Sequence, residues 1–272
     1  MRFLPRCYTH SSMARQRLGQ HFLKNTAWRH RILQRLPLNA GDTWLEIGAG
    51  HGEMTELLAP RVGRLLAVET DERLLPSLQH RANLEWPNVQ IVAGDVLTLD
   101  LTSLLGAGRI RVYGNLPYYI TSPIFRRLFD SASHLSSIFV VIQLEVAERI
   151  VARPGSRDYG YLSTLCQFYG HPSIELRIPP GAFEPAPKVD SALVAMSLPG
   201  ARVSLAIRDD ALFLQFLQRC FAQKRKTLRN NLRALVSEDR IRQSFASANL
   251  PADARAEQIS LPQFAALFSM LS

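Results

Sequence analysis

The sequence predicts an α/β protein: a mostly parallel seven-stranded sheet with helices on both faces, followed by a small all-α domain. Three observations carry this. Short apolar runs ending in turn signals alternate with helix-period segments through the first two thirds of the 272 residues. A Gly-rich turn follows the first of these runs. After a Pro-Gly break near residue 199 the apolar period becomes helical and stays so. Strands that alternate with helices are the mark of βαβ units around a parallel sheet.

Taken in order, "TWLEIGAG" (43–50) is a buried strand running into a glycine turn, with a helix from about Glu53. "RLLAVETD" (64–71) is the second strand, and its helix carries Leu74, Leu75 and Leu78. "VQIVAGD" (89–95), "IRVYGNLPY" (110–118) and "SSIFVVIQLE" (136–145) are the third to fifth. "YGHPSIELRIP" (169–179) and "SALVAMSL" (191–198) have no full helix between them and close the sheet as an antiparallel pair. Beyond "LPGARVSL" (198–205), Leu212, Phe213, Phe216, Leu217 and Phe221, then Leu228, Leu232 and Leu235, keep helical spacing. The expected domains are a basic arm over 1–17, an α/β domain over 18–200 and a helical domain over 201–272.

Thirty-two Lys and Arg against 23 Asp and Glu leave a formal charge of +9, which favours a polyanionic partner such as nucleic acid. Cys7, Cys166 and Cys220 are scattered without CxxC spacing, so they read as reduced thiols of a cytoplasmic protein. No His pair stands at metal-ligand spacing, and no metal is expected. The longest apolar stretch falls short of the ~20 residues that span a bilayer. The first 17 residues hold Arg2, Arg6, Arg15 and Arg17 and no acid. That suits an organellar presequence, a disordered arm or an upstream start before Met13; the arm or extra start is preferred.

"EIGAGHG" (46–52) places Gly48, Gly50 and Gly52 where the first strand turns toward its helix. The dinucleotide fingerprint needs its third glycine three residues after the second; here Glu53 stands there. A pyrophosphate beside Glu46 and Glu53 would be poorly served. A cofactor without phosphates and with a positive centre suits the turn better. Glu69, ending the second strand, can accept from ribose hydroxyls, and Asp95, ending the third, can bond an adenine amine. Each acid alone could be a helix cap. Together with a fourth-strand motif they resemble the site of S-adenosylmethionine-dependent methyltransferases of Rossmann-like fold.

The fourth-strand motif is Asn115-Leu116-Pro117-Tyr118. An exocyclic adenine amine is a poor nucleophile because its lone pair is delocalised into the ring. Two fixed acceptors beside it would favour a pyramidal nitrogen, with no strong base required. Asn115 offers a side-chain carbonyl, the Leu116 carbonyl is held extended by Pro117, and Tyr118 offers a stacking face.

"GQHFL" (19–23), "EIGAGHG", "AVE", "GD", "GNLPYYITSPI", "FEPAPKVDSALV" (183–194) and "FAQKRKTLRNNL" (221–232) follow one another as in the ribosomal RNA adenine dimethyltransferases, which the chain resembles over about 17–270. The resemblance implies S-adenosylmethionine as cofactor and two adjacent adenosines of a small-subunit rRNA hairpin as substrate. It also implies a pre-ribosomal small subunit as partner, with the enzyme acting as a monomer. His21, Leu23, Gly48, Glu69, Asp95 and Asn115 match the family's cofactor contacts. His21 departs from the Asn of many relatives; a contact through the backbone or ring would survive that change.

Phe183 could wall the target base or sit in the core. Arg153 and Arg157 could face RNA or line a solvated loop. Lys224, Arg225, Lys226 and Arg229, with no acid among them, are expected to meet phosphates. Competing readings are the large-subunit rRNA methylases of the macrolide-resistance type and a non-catalytic RNA-binding factor that kept the fold. Leu116 and the complete "FEPAPKVDSALV" and "KRKTLRNN" segments favour the small-subunit group.

Overall fold

The computed structural model describes residues 21–106, 108–233 and 235–271. The basic arm, Cys7, Met13 and the first two residues of "GQHFL" lie outside the described residues.

The described residues begin with a short strand β1 (Phe22–Leu23) and helix α1 (Thr26–Leu33), whose N-cap Asn25 accepts the Trp28 N–H at 3.2 Å. Then come β2 (Thr43–Ile47), α2 (Thr55–Leu58), β3 (Arg64–Glu69), α3 (Leu75–Glu85), β4 (Val89–Ala93) and α4 (Leu101–Leu105). They are followed by β5 (Ile110–Asn115), α5 (Thr121–Asp130), β6 (Leu135–Gln143), α6 (Leu144–Val151) and α7 (Tyr161–Tyr169). The sheet is completed by β7 (His171–Ile178) and β9 (Ser191–Ser197), with a two-residue strand β8 (Phe183–Glu184) between them. Among the described residues beyond 201 the α-helices are α8 (Arg202–Leu205), α9 (Asp210–Cys220), α10 (Leu228–Leu232), α11 (Glu238–Ser247) and α12 (Leu261–Leu271).

The seven strands expected from the sequence form one sheet in the order β4-β3-β2-β5-β6-β9-β7. Only β9 runs against its neighbours, pairing antiparallel with both β6 and β7. Burial on both faces explains the near-continuous apolar runs of β3 and β6, which parallel packing requires. The order reverses between β2 and β5, and the crevice beyond their carboxyl ends is where open α/β sheets bind ligands. The β1–β8 pair was not expected, because two residues carry no periodicity; it sets Leu23 opposite Phe183.

One face of the sheet packs on α1 through Trp44, Tyr113, Phe139 and Leu193. The other joins α5 and α7 in an apolar cluster that continues without a break into α9 and α12. Phe168 meets Phe213 at 5.2 Å between ring centroids, and Phe129 stacks on Tyr169 at 4.6 Å. The helices beyond residue 201 therefore share their core with the sheet. No helix among the described residues is long and apolar enough to cross a membrane.

Candidate functional site

One cavity opens at the switch point, and most of the expected residues line it: His21, Gly48, Glu69, Asp95, Asn115, Leu116, Pro117 and Tyr118. Ile47, Val68, Val96, Ile120 and Ile124 supply its apolar walls. The strand ends meet there because β2, β3 and β5 are in register, with Ile47 opposite both Val68 and Gly114.

The glycine turn is held from the second strand. Gly50, at φ +61°, gives its N–H to Glu69 Oε2 at 2.8 Å, and Glu69 Oε1 accepts the N–H groups of Thr70 and Asp71 at 2.8 Å each. Glu69 is only 2% exposed, so it is a clamp as well as a wall, not the exposed acid that a strand-end position suggests. With three of about four acceptor positions taken, room remains for about one more donor. Asp95 is exposed; its Oδ1 accepts the Leu97 N–H at 2.9 Å.

Asn115 donates its side-chain N–H to the His21 carbonyl at 2.8 Å. A carbonyl can only accept, so this bond sets the amide's orientation and leaves Oδ1 without a protein donor among the described residues. The next peptide is fixed by the Leu116 N–H bonding the Val141 carbonyl at 3.0 Å. Tyr118 is half-buried, its hydroxyl 2.8 Å from Ser191 Oγ and its ring stacked on His21 at 5.5 Å. Burial raises the Tyr118 hydroxyl above the usual phenol range, against the Ser191 bond, so it stays protonated at neutral pH.

A smaller cavity adjoins the glycine turn, lined by Glu46, Glu53, Met54, Tyr113, Leu23 and Asn115. Glu46 accepts the Thr55 hydroxyl at 2.7 Å. Burial pushes its carboxyl up to about 8, opposed by the Thr55 bond and reinforced by Glu53 and Glu69.

Three sets of expected residues lie outside the lining of the large cavity. Phe183 is 5% exposed and packs in the core with Leu23, Ile178 and Leu193, away from the large cavity, because its pairing with β1 turns it inward. Leu23 likewise has its side chain in that core and reaches only the smaller cavity. Lys224, Arg225 and Lys226 stand in the turn between α9 and α10, not on a helix, and Arg229 is ion-paired with Glu238 from α11. Arg233 shares the same carboxylate at 2.8 Å, and the two guanidiniums hold the Glu238 carboxyl below its ordinary range. Lys224, Arg225 and Lys226 remain exposed, and Lys224 Nζ donates to the Arg157 carbonyl at 3.1 Å, joining this turn to the loop of Arg153. Asn231 fixes the turn by donating to the Cys220 carbonyl at 2.7 Å. Ser191 and Glu46 were not assigned from the sequence; both lay inside quoted motifs, yet a serine at a strand start carries no distinguishing pattern.

A family model described as ribosomal RNA adenine dimethylase matches residues 11–272. The chain belongs to that family. The dimethylase is 42% identical to the ribosomal RNA small subunit methyltransferase A of Acidobacterium capsulatum, across 96% of this chain and 92% of the relative. It is 40% identical to the protein of that name from Geobacter sulfurreducens, across 93% and 94%. Among solved structures, a dimethyladenosine transferase from Plasmodium falciparum has the same fold, with a TM-score of 0.74, 22% identity and coverage of 91% and 96%. A 23S rRNA methyltransferase, ErmE, superposes with a TM-score of 0.69 at 25% identity, covering 92% of the dimethylase and 99% of that chain.

Proposed function

We infer that this dimethylase transfers methyl groups from S-adenosylmethionine to the exocyclic amines of two adjacent adenosines in a hairpin near the 3′ end of small-subunit rRNA. The product is N6,N6-dimethyladenosine, and the setting is assembly of the small subunit. The observation that carries the reading is the orientation of Asn115: its nitrogen is tied to His21, so its oxygen is the end that faces an incoming amine beside the Tyr118 ring.

The cavity suits such a cofactor. No Lys or Arg among the described residues lines it, while Glu69 and Asp95 do, which disfavours phosphates and favours a nucleoside with a positive centre. Gly48, at φ +75°, has a backbone conformation that side chains rarely adopt, and a Cβ there would be in ordinary contact with the Asn115 carbonyl at 3.8 Å. Glu69 would take a ribose hydroxyl, Asp95 the adenine amine, and the glycine turn the methionine end. When bound, S-adenosylmethionine supplies the electrophilic methyl group. Asn115 Oδ1 and the Leu116 carbonyl accept from the target amine and favour its tetrahedral form, while Tyr118 holds the extruded base. The helices over 201–272, with Lys224, Arg225 and Lys226, would act as the RNA-binding part of a monomer on the pre-ribosomal subunit.

The relatives at 42% and 40% identity carry small-subunit names, which favours this substrate over the large-subunit one. Primer extension on small-subunit rRNA from cells with and without the gene tests it. A stop at an adjacent adenosine pair is expected only with the gene; no difference there, with a gene-dependent stop in large-subunit rRNA, would overturn it.

A further inference from the structure

The Tyr118 ring, in the cavity wall, is constrained from two sides. Its hydroxyl is 2.8 Å from the fully buried Ser191, and one face lies against the His21 imidazole at 5.5 Å and 27° between planes. The imidazole is itself anchored. Its Nδ1 lies 2.6 Å from the Pro185 carbonyl, which only accepts, so Nδ1 carries the hydrogen and donates. Its backbone carbonyl takes the Asn115 amide. His21 therefore ties together the loop before β9, the stacking ring and the amide that meets the amine.

We propose that the His21 imidazole is a positioning residue for the target base: by covering one face of Tyr118 it leaves a single ring face for the adenine and restrains that face against rotation. The inference rests on the proposed function. A base stacked on a ring free to tilt would spend less time with its amine in line with the methyl group, so the effect falls on transfer once the base is bound. An aromatic pair contributes the equivalent of roughly 2- to 12-fold in an equilibrium or rate.

The test is a double-mutant cycle read by single-turnover methyl transfer to small subunits lacking the modification, with donor binding followed by calorimetry. His21→Ala should slow transfer at saturating donor by roughly 2- to 12-fold, a loss separate from any change in donor affinity that calorimetry records. His21→Phe keeps a ring against Tyr118 but loses the Pro185 bond, and should recover most of the rate that His21→Ala loses. In a Tyr118→Ala background, His21→Ala should cost nothing further, since its action runs through that ring. Additive losses in the cycle, a parental rate for His21→Ala, or a loss in His21→Phe as large as in His21→Ala would each overturn the proposal. A parental protein that transfers no methyl group would overturn the functional reading beneath it, an outcome distinct from all three.

Discussion

Glu69 accepts the Gly50 N–H at 2.8 Å across the gap between β3 and the glycine turn of β2. The same carboxylate holds two further backbone amides, of Thr70 and Asp71, so the loop geometry and, in the proposed site, the hold on the cofactor ribose would depend on one side chain. Glu69→Ala is expected to weaken S-adenosylmethionine binding by roughly 1.5 to 3 kcal/mol, one hydrogen bond to a charged group. It should also lower thermal stability, because three backbone donors lose their partner. Glu69→Gln keeps one carbonyl oxygen and should recover part of the stability but little of the affinity. Calorimetry and thermal melts on both variants check this; unaltered affinity in both would remove Glu69 from the site.

Glu46 gives the protein a pH dependence of defined sign. Its folded value of about 8 lies above the ordinary 4.5, so between these limits the folded state holds a proton that the unfolded chain has lost. Stability of the cofactor-free protein should therefore fall as pH rises from about 4.5 to about 8, at roughly 1.4 kcal/mol per unit at most, and level off above. Glu46→Gln removes the titrating group while keeping an acceptor for the Thr55 hydroxyl. Urea unfolding at pH 5, 6.5 and 8 should show the variant gaining on the parent as pH rises. A constant difference would mean that Glu46 is ionised throughout.

The exposed turn between α9 and α10 should contribute to RNA affinity through charge alone. Replacing Lys224, Arg225 and Lys226 by Glu is expected to weaken RNA binding and flatten its salt dependence, by about 0.7 to 0.9 in the slope of log K against log salt for each lost phosphate contact. Donor binding should not change. Arg229 is already paired with Glu238, so Arg229→Ala should alter the slope less than Arg225→Ala does. Titrations at several salt concentrations distinguish these; an unchanged slope in the triple variant would make the turn a solvated surface only.

Why some of this was legible in the sequence and some not follows from the range of the interactions. Each of the seven sheet strands announced itself by an apolar run bounded by turn residues, and the site acids stood at strand ends, where local pattern and position coincide. Phe183 was ambiguous because an aromatic beside prolines suits a pocket rim as well as a core; only its pairing with Leu23, far away in sequence, turns it inward. The basic run fits a helical period, but Asn231 holds it as a turn, and Glu238 from the following helix neutralises Arg229. Glu69 could be placed at the rim from its position, whereas one of the three amides that hold it, that of Gly50, comes from a different strand's turn.

Asn115 is the residue on which the catalytic reading stands. Its nitrogen is engaged by the His21 carbonyl, so in the proposed reaction the oxygen would meet the substrate amine, in a contact that would strengthen as the amine becomes tetrahedral. Asn115→Ala is expected to bind the donor at most modestly more weakly yet to lose about 10² to 10³ in the rate of methyl transfer, the usual effect of removing one preorganised polar partner. Asn115→Asp should not rescue it, because a carboxylate has no hydrogen for the His21 carbonyl and would be repelled from it. Tyr118→Phe loses only the Ser191 bond and keeps the stacking face, so much of the activity should remain, while Tyr118→Ala weakens capture of the base. Single-turnover assays on small subunits lacking the modification, with donor affinity measured alongside, separate the two effects. Transfer by Asn115→Ala at the parental rate would make the Asn-Leu-Pro-Tyr segment a structural turn and move the amine acceptor elsewhere in the cavity.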